Sequence, residues 1–165
     1  MFMTVHAAAA TIIGKQANNA ILAFILGLLS HFVLDMLPHG DERLGKQFFG
    51  HKLKILQDRG ELKFLALYGS ADSIFLSFFI LWLFRSFEFV NSNVVVWAIV
   101  GGIIPDLISV TYKLTNSRLL KWFNNIHIIN HKYLVEKLDW DWPLKYAIVM
   151  QLVVMTGLIW IIYIT

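Results

Sequence analysis

His31 and Asp35 stand four residues apart in an otherwise apolar run, so a helix would carry both on one face, a turn apart. His39 and Asp41 follow directly after Pro38. His127 and His131 repeat the four-residue spacing, and Asp106 closes Gly101-Gly102-Ile103-Ile104-Pro105-Asp106. Asp72 lies deep in a second apolar run, and His6 is near the start of the chain. Imidazole and carboxylate together suit zinc, manganese or iron. Three or four such ligands make one site with an open position, and a larger set holds two or three ions through shared carboxylates. Metal ions bring the pKa of bound water to about 7 and stabilise both oxygens of an in-line displacement, which is the need of phosphoester cleavage.

The elements that must position these residues are greasy. Of the 165 residues 58% are hydrophobic and 15% charged, against roughly 25% charged in a soluble domain. A soluble enzyme or a disordered chain is thereby excluded. There is no cysteine, which removes disulfides, thiolate ligands and cysteine nucleophiles. Apolar segments fall at about 3–14, 20–37, 62–84, 93–114 and 146–164. The last four approach the ~20 residues that cross a hydrocarbon core as a helix, and the first is a short span or a helix laid against the others. The expectation is an all-α, polytopic membrane bundle of four to five transmembrane helices in a single integral domain, 1–165.

The basic residues orient it. Of 14 Lys and Arg, six (Arg43, Lys46, Lys52, Lys54, Arg59, Lys63) lie between the second and third segments or at the edge of the third. Six more (Lys113, Arg118, Lys121, Lys132, Lys137, Lys145) lie between the fourth and fifth or at the edge of the fourth. Only Lys15 and Arg85 fall elsewhere, so the positive-inside rule sets both rich loops in the cytoplasm. The pI of about 9.2 is then a topology signal, with attraction to anionic lipid as a second role and no nucleic-acid partner. Five of the six histidines join the acids at the cytoplasmic end, leaving His51 as a surface residue.

A charge inside an apolar helix is costly and marks function. The expected metal ligands are His6, His31, Asp35, His39, Asp72, Asp106, His127 and His131. Asp41 or Asp72 would serve as general base for the activated water. Taken singly, these residues have plainer readings. His31 and Asp35 make a hydrogen-bonded pair, Asp106 caps a helix broken by Pro105, and His127 and His131 are solvated loop residues. Only Asp72 has no surface reading. Asp139 and Asp141, between Trp140 and Trp142, read as an interfacial anchor. A small cation transporter using Asp72 and Asp106 is the competing function, with Gly101, Gly102 and Pro105 marking a broken helix. An assembly subunit with a structural metal is a third.

The stretches Thr4-Val5-His6, 27–41 and 102–106 resemble bacterial membrane-bound metal-dependent hydrolases, which are similar in turn to the helical zinc-dependent phospholipase C group. The resemblance implies an inner-membrane hydrolase with zinc ions, facing the cytoplasm, and a phosphoester substrate such as a phospholipid or lipid phosphate. It assigns His31 and Asp35 to paired helical ligands, Asp106 to a Pro-Asp ligand, and His127 and His131 to a later histidine pair. Ile108 stands where relatives often carry a second acid.

Overall fold

The computed structural model describes residues 1–40 and 59–165. Asp41 and His51, with Arg43, Lys46, Lys52 and Lys54, lie outside the described residues. Six helices are present among those described: α1 (Met3–Gln16), α2 (Ala20–Met36), α3 (Arg59–Ser86), α4 (Ser92–Thr115), α5 (Arg118–Leu138) and α6 (Leu144–Ile164). The protein is all-α. Three helical stretches, Leu67–Ser86, Ser92–Thr115 and Lys145–Ile164, are long and apolar enough to cross a membrane. The apolar α2, with 17 residues, is shorter.

Local chemistry sets the helix ends. Asn19 caps α2 by accepting from the Leu22 amide at 2.9 Å, and the helix stops ahead of Pro38. Asn91 caps α4 through the Val94 amide, and Asn116 closes it in the left-handed conformation, φ 51°. Asp139 ends α5 in the same way.

The Ala-rich α1 lies at the centre, against α2, α3, α4 and α6. Its small side chains admit neighbours on every side, and Thr4 to Ala8, Ala10, Thr11 and Gly14 are all buried. At one end of α1 the Phe2 amide donates to Gln151 Oε1 of α6 (2.7 Å). At the other, Lys15 Nζ donates to the Ile162 carbonyl (2.7 Å) and so covers an orphan acceptor of the last turn of α6. The two helices are therefore parallel. Ala7 and Ala8 share a core cluster with Phe79, Leu83, Val95, Ile99 and Ile162.

The crossing of α2 and α4 is backbone on backbone. A Cβ at Gly27 would lie 2.2 Å from the Ala98 carbonyl oxygen, and one at Gly101 would lie 2.2 Å from that of Phe24. Gly102 is nearly as close to α1, where a Cβ would meet Ala10 Cβ at 2.9 Å and the His6 carbonyl at 3.1 Å. Small residues permit this approach, as they do between membrane helices. It is what lets His6, His31 and the Gly102 carbonyl meet.

α5 occupies a stretch the sequence reading leaves as a loop. Its inward face presents Asn124, His127 and Val135. Asn130 Nδ2 holds it to α2 through the Phe32 carbonyl (2.8 Å).

Candidate metal centre

Asp35 is the hub, and it is fully buried. Its Oδ2 receives three imidazole nitrogens: His31 Nε2 at 2.9 Å, His127 Nε2 at 3.1 Å and His131 Nε2 at 2.7 Å. Oδ1 faces the Met1 amino nitrogen and His6 Nε2, at 3.1 and 3.0 Å, with His39 Nε2 at 3.9 Å. Asp106 Oδ1 lies 3.5 Å from His127 Nε2 and 3.9 Å from His31 Nε2. Four helices supply these groups. α2 gives the i, i+4 pair, α5 its own i, i+4 pair, α4 Asp106, and α1 His6. His39 follows the α2 stop.

Outer contacts fix the rings. His31 donates Nδ1–H to the Gly102 carbonyl at 2.7 Å. Pro105 has no amide to offer the Gly101 carbonyl, which loosens the ladder of α4 beside this bond. His127 Nδ1 shares a hydrogen bond with Ser109 Oγ at 2.8 Å. His6 stacks on His31 with centroids 4.0 Å apart, and its close approach to Asp35 is not aligned as a hydrogen bond; neither of its nitrogens makes one among the described residues. Desolvation pushes the His131 imidazole down to about 4, leaving it neutral at pH 7 with a lone pair to give.

The Gly102 bond decides what the pocket wants. A carbonyl only accepts, so the proton of a neutral His31 sits on Nδ1, and Nε2 turns a bare lone pair toward Asp35 and toward His127 Nε2, 3.0 Å away. A lone pair facing a buried carboxylate favours a cation between them, on the Oδ2 side, away from the Met1 ammonium at Oδ1. The distances suit one. Ligands at 2.0–2.1 Å around a tetrahedral ion lie about 3.4 Å from each other. The contacts among the ligand atoms of His31, Asp35, His127 and Asp106 given above run from 2.9 to 3.9 Å. All four atoms lie within 4.8 Å of one another, as do those of a second group, Asp35, His39 and His131. Asp35 belongs to both.

Two of the sequence-derived positions lie apart from these groups. His6 touches Asp35 from behind His31. Asp72 serves the N-terminus of α1: its carboxylate accepts from the Met3 amide (2.7 Å), the Thr4 amide (3.3 Å) and the Thr4 hydroxyl (2.7 Å). Phe2, at the N-cap position, makes no side-chain cap of its own, so an acid on another helix supplies it. Asp141 is buried, not an exposed anchor, and accepts from the Gly40 amide at 2.8 Å, where φ is 84°. The sequence reading passes over Ser109, Gln151 and the Gly102 carbonyl, since none carries a charge. Their only signal is a small polar group within an apolar helix.

Fold and site together define a helical protein with three membrane-length apolar helices and a buried His/Asp cluster able to hold a metal ion. No family model, curated protein or solved structure matches the chain.

Proposed function

We propose that the chain is an integral membrane hydrolase whose His/Asp cluster binds a divalent transition metal, zinc in the first instance, and cleaves a phosphoester such as a lipid phosphate. In this reading α2, α3, α4 and α6 span the bilayer, with α1 packed among them and the cluster at the cytoplasmic ends. The observation that supports it most is the convergence of His31 and His127 Nε2, from two helices, on the buried Asp35 carboxylate, with the His31 Nδ1 proton given to the Gly102 carbonyl. His31, Asp35, Asp106 and His127 would hold one ion, and His39 and His131 would join Asp35 for a second. When bound, such an ion polarises a phosphoryl oxygen and acidifies water. Asp106 is the group's one partly exposed carboxylate, at 19%, and so the ligand that would give way to entering water and take up its proton. The commitment of Asp72 to α1 argues against it as a base and against the cation transporter.

Elemental analysis of the purified protein tests the reading, together with release of phosphate or headgroup from lipid phosphoesters in detergent. Stoichiometric metal, with metal and turnover both lost in Asp35→Asn and His31→Ala, is the expected result. Metal-free wild-type protein would sink it. Bound metal with no turnover on any phosphoester would leave a structural site.

A further inference from the structure

α5 carries two faces that ask for different surroundings. One turns His127 and His131 toward Asp35. The nearly opposite one presents Leu119, Trp122, Ile126, Ile129 and Tyr133, spaced three and four residues apart and 50–82% exposed. Such a stripe runs about 21 Å along the helix at 1.5 Å per residue. The helix cannot itself be a span, because Arg118, Lys121, Lys132, Glu136 and Lys137 interrupt it. It joins the end of α4 to the start of α6, two helices of membrane length, so it lies at their common end.

We propose that α5 is an interfacial helix, its stripe seated at the boundary between acyl chains and headgroups of an anionic leaflet. Three observations select lipid as the occupant. First, the stripe continues a surface of the same kind: Met36 of α2 lines one shallow hollow with Ile126, Ile129 and Tyr133. Above it on α2 the exposed Val33, Leu29, Ile25 and Ile21 carry the apolar face onward. Second, four cations against one acid ride on this short helix, the composition that anionic headgroups draw to a surface. Lys137 Nζ lies over the Tyr133 ring, 5.9 Å from its centroid, as a snorkelling lysine at the stripe's edge. Third, Trp140 and Trp142 pair just beyond the helix, the aromatic chemistry of the headgroup level. The consequence is that His127 and His131, on the far side of α5 from the stripe, are held toward the protein interior at the level of the headgroups. The proposal rests on the membrane reading of α3, α4 and α6 and not on a bound metal.

The absence of cysteine makes the test clean. Spin labels at single cysteines, Ile126→Cys and Ile129→Cys in the stripe and Lys121→Cys and Asn125→Cys on the polar side, are read in phosphatidylglycerol nanodiscs. Phe75→Cys, 68% exposed on α3, is the bilayer reference. Collision with oxygen reports lipid, and collision with a nickel chelate reports water. The stripe should show an oxygen-to-nickel ratio several-fold above the polar side and close to that of Phe75→Cys. Equal ratios on the two sides of α5 overturn the proposal. Exclusion of both reagents from the stripe also overturns it, since protein, such as a second copy of the chain, then covers that face. Water at Phe75→Cys as well would fail the membrane reading itself, and the metal content of the same samples stands independently.

Discussion

Asp35 and Asp72 are buried aspartates on different helices, both turned toward the first residues of α1, yet their neighbours differ in kind. Asp72 is met by two backbone amides and a hydroxyl, groups that donate hydrogens and need an acceptor. Asp35 is met by imidazole nitrogens and by the Met1 ammonium, and the His31 ring gives its Nδ1 proton to the Gly102 carbonyl, away from the carboxylate. The first arrangement is complete as it stands, a helix cap delivered from another helix. The second gathers four imidazoles and the Met1 ammonium about one carboxylate, more ring nitrogens than a lone ion pair requires, and is able to hold a metal ion. Both acids are buried; the kind of neighbour, amides and a hydroxyl for one and imidazoles for the other, separates a helix cap from a group able to hold a metal ion.

Exchanging each acid for its amide should break the two regions differently. Asp35→Asn removes the charge that the shared position requires, and transition metal should fall to background by elemental analysis. Retention of full metal would dismiss Asp35 as a ligand. Asp72→Asn should leave metal per folded molecule unchanged but lower the unfolding midpoint in detergent. The amide keeps one acceptor oxygen but loses the charge and turns an NH2 toward a donor of α1, so a charge-assisted hydrogen bond is lost, about 2 kcal/mol. Loss of metal with unaltered stability would reverse the assignment of the two acids.

How much of this was legible depended on whether a residue's partner was near in sequence. His31 and Asp35 show in the chain because a four-residue spacing in an apolar run is a helix face. The three membrane-length helices show because their composition leaves nothing else for them to be. The role of Asp72 does not show: its partners, Met3 and Thr4, are 69 and 68 residues away, and only the packing of α3 on α1 joins them. α5 was hidden for another reason. Its apolar stripe and ligand face are diluted by lysines and asparagines, so no run of apolar residues marks it, though Leu119, Trp122, Ile126, Ile129 and Tyr133 keep helical spacing throughout. The meeting of α2 and α4 was half legible. Gly27, Gly101 and Gly102 can be read as small residues, but which helix each one admits is decided only by the crossing.

The smallest expected effect probes the same contrast from the outer side of the cluster. Ser109 touches no acid; it bonds the far nitrogen of His127, 2.8 Å away, and so sets which nitrogen of that ring faces Asp35 and Asp106. If the cluster were a hydrogen-bonded core like that of Asp72, Ser109→Ala would cost about 1 kcal/mol of stability and nothing more. If it is a metal centre, the loss reaches the ligand, because an imidazole free to turn binds metal 10–100-fold more weakly once its outer partner is gone. Competition against a chelator of known affinity separates the two outcomes. Weakened metal binding with a nearly unchanged unfolding midpoint is expected of Ser109→Ala. Restoration by Ser109→Thr, which returns the hydroxyl, would tie the effect to the bond with His127 and not to the volume of the side chain.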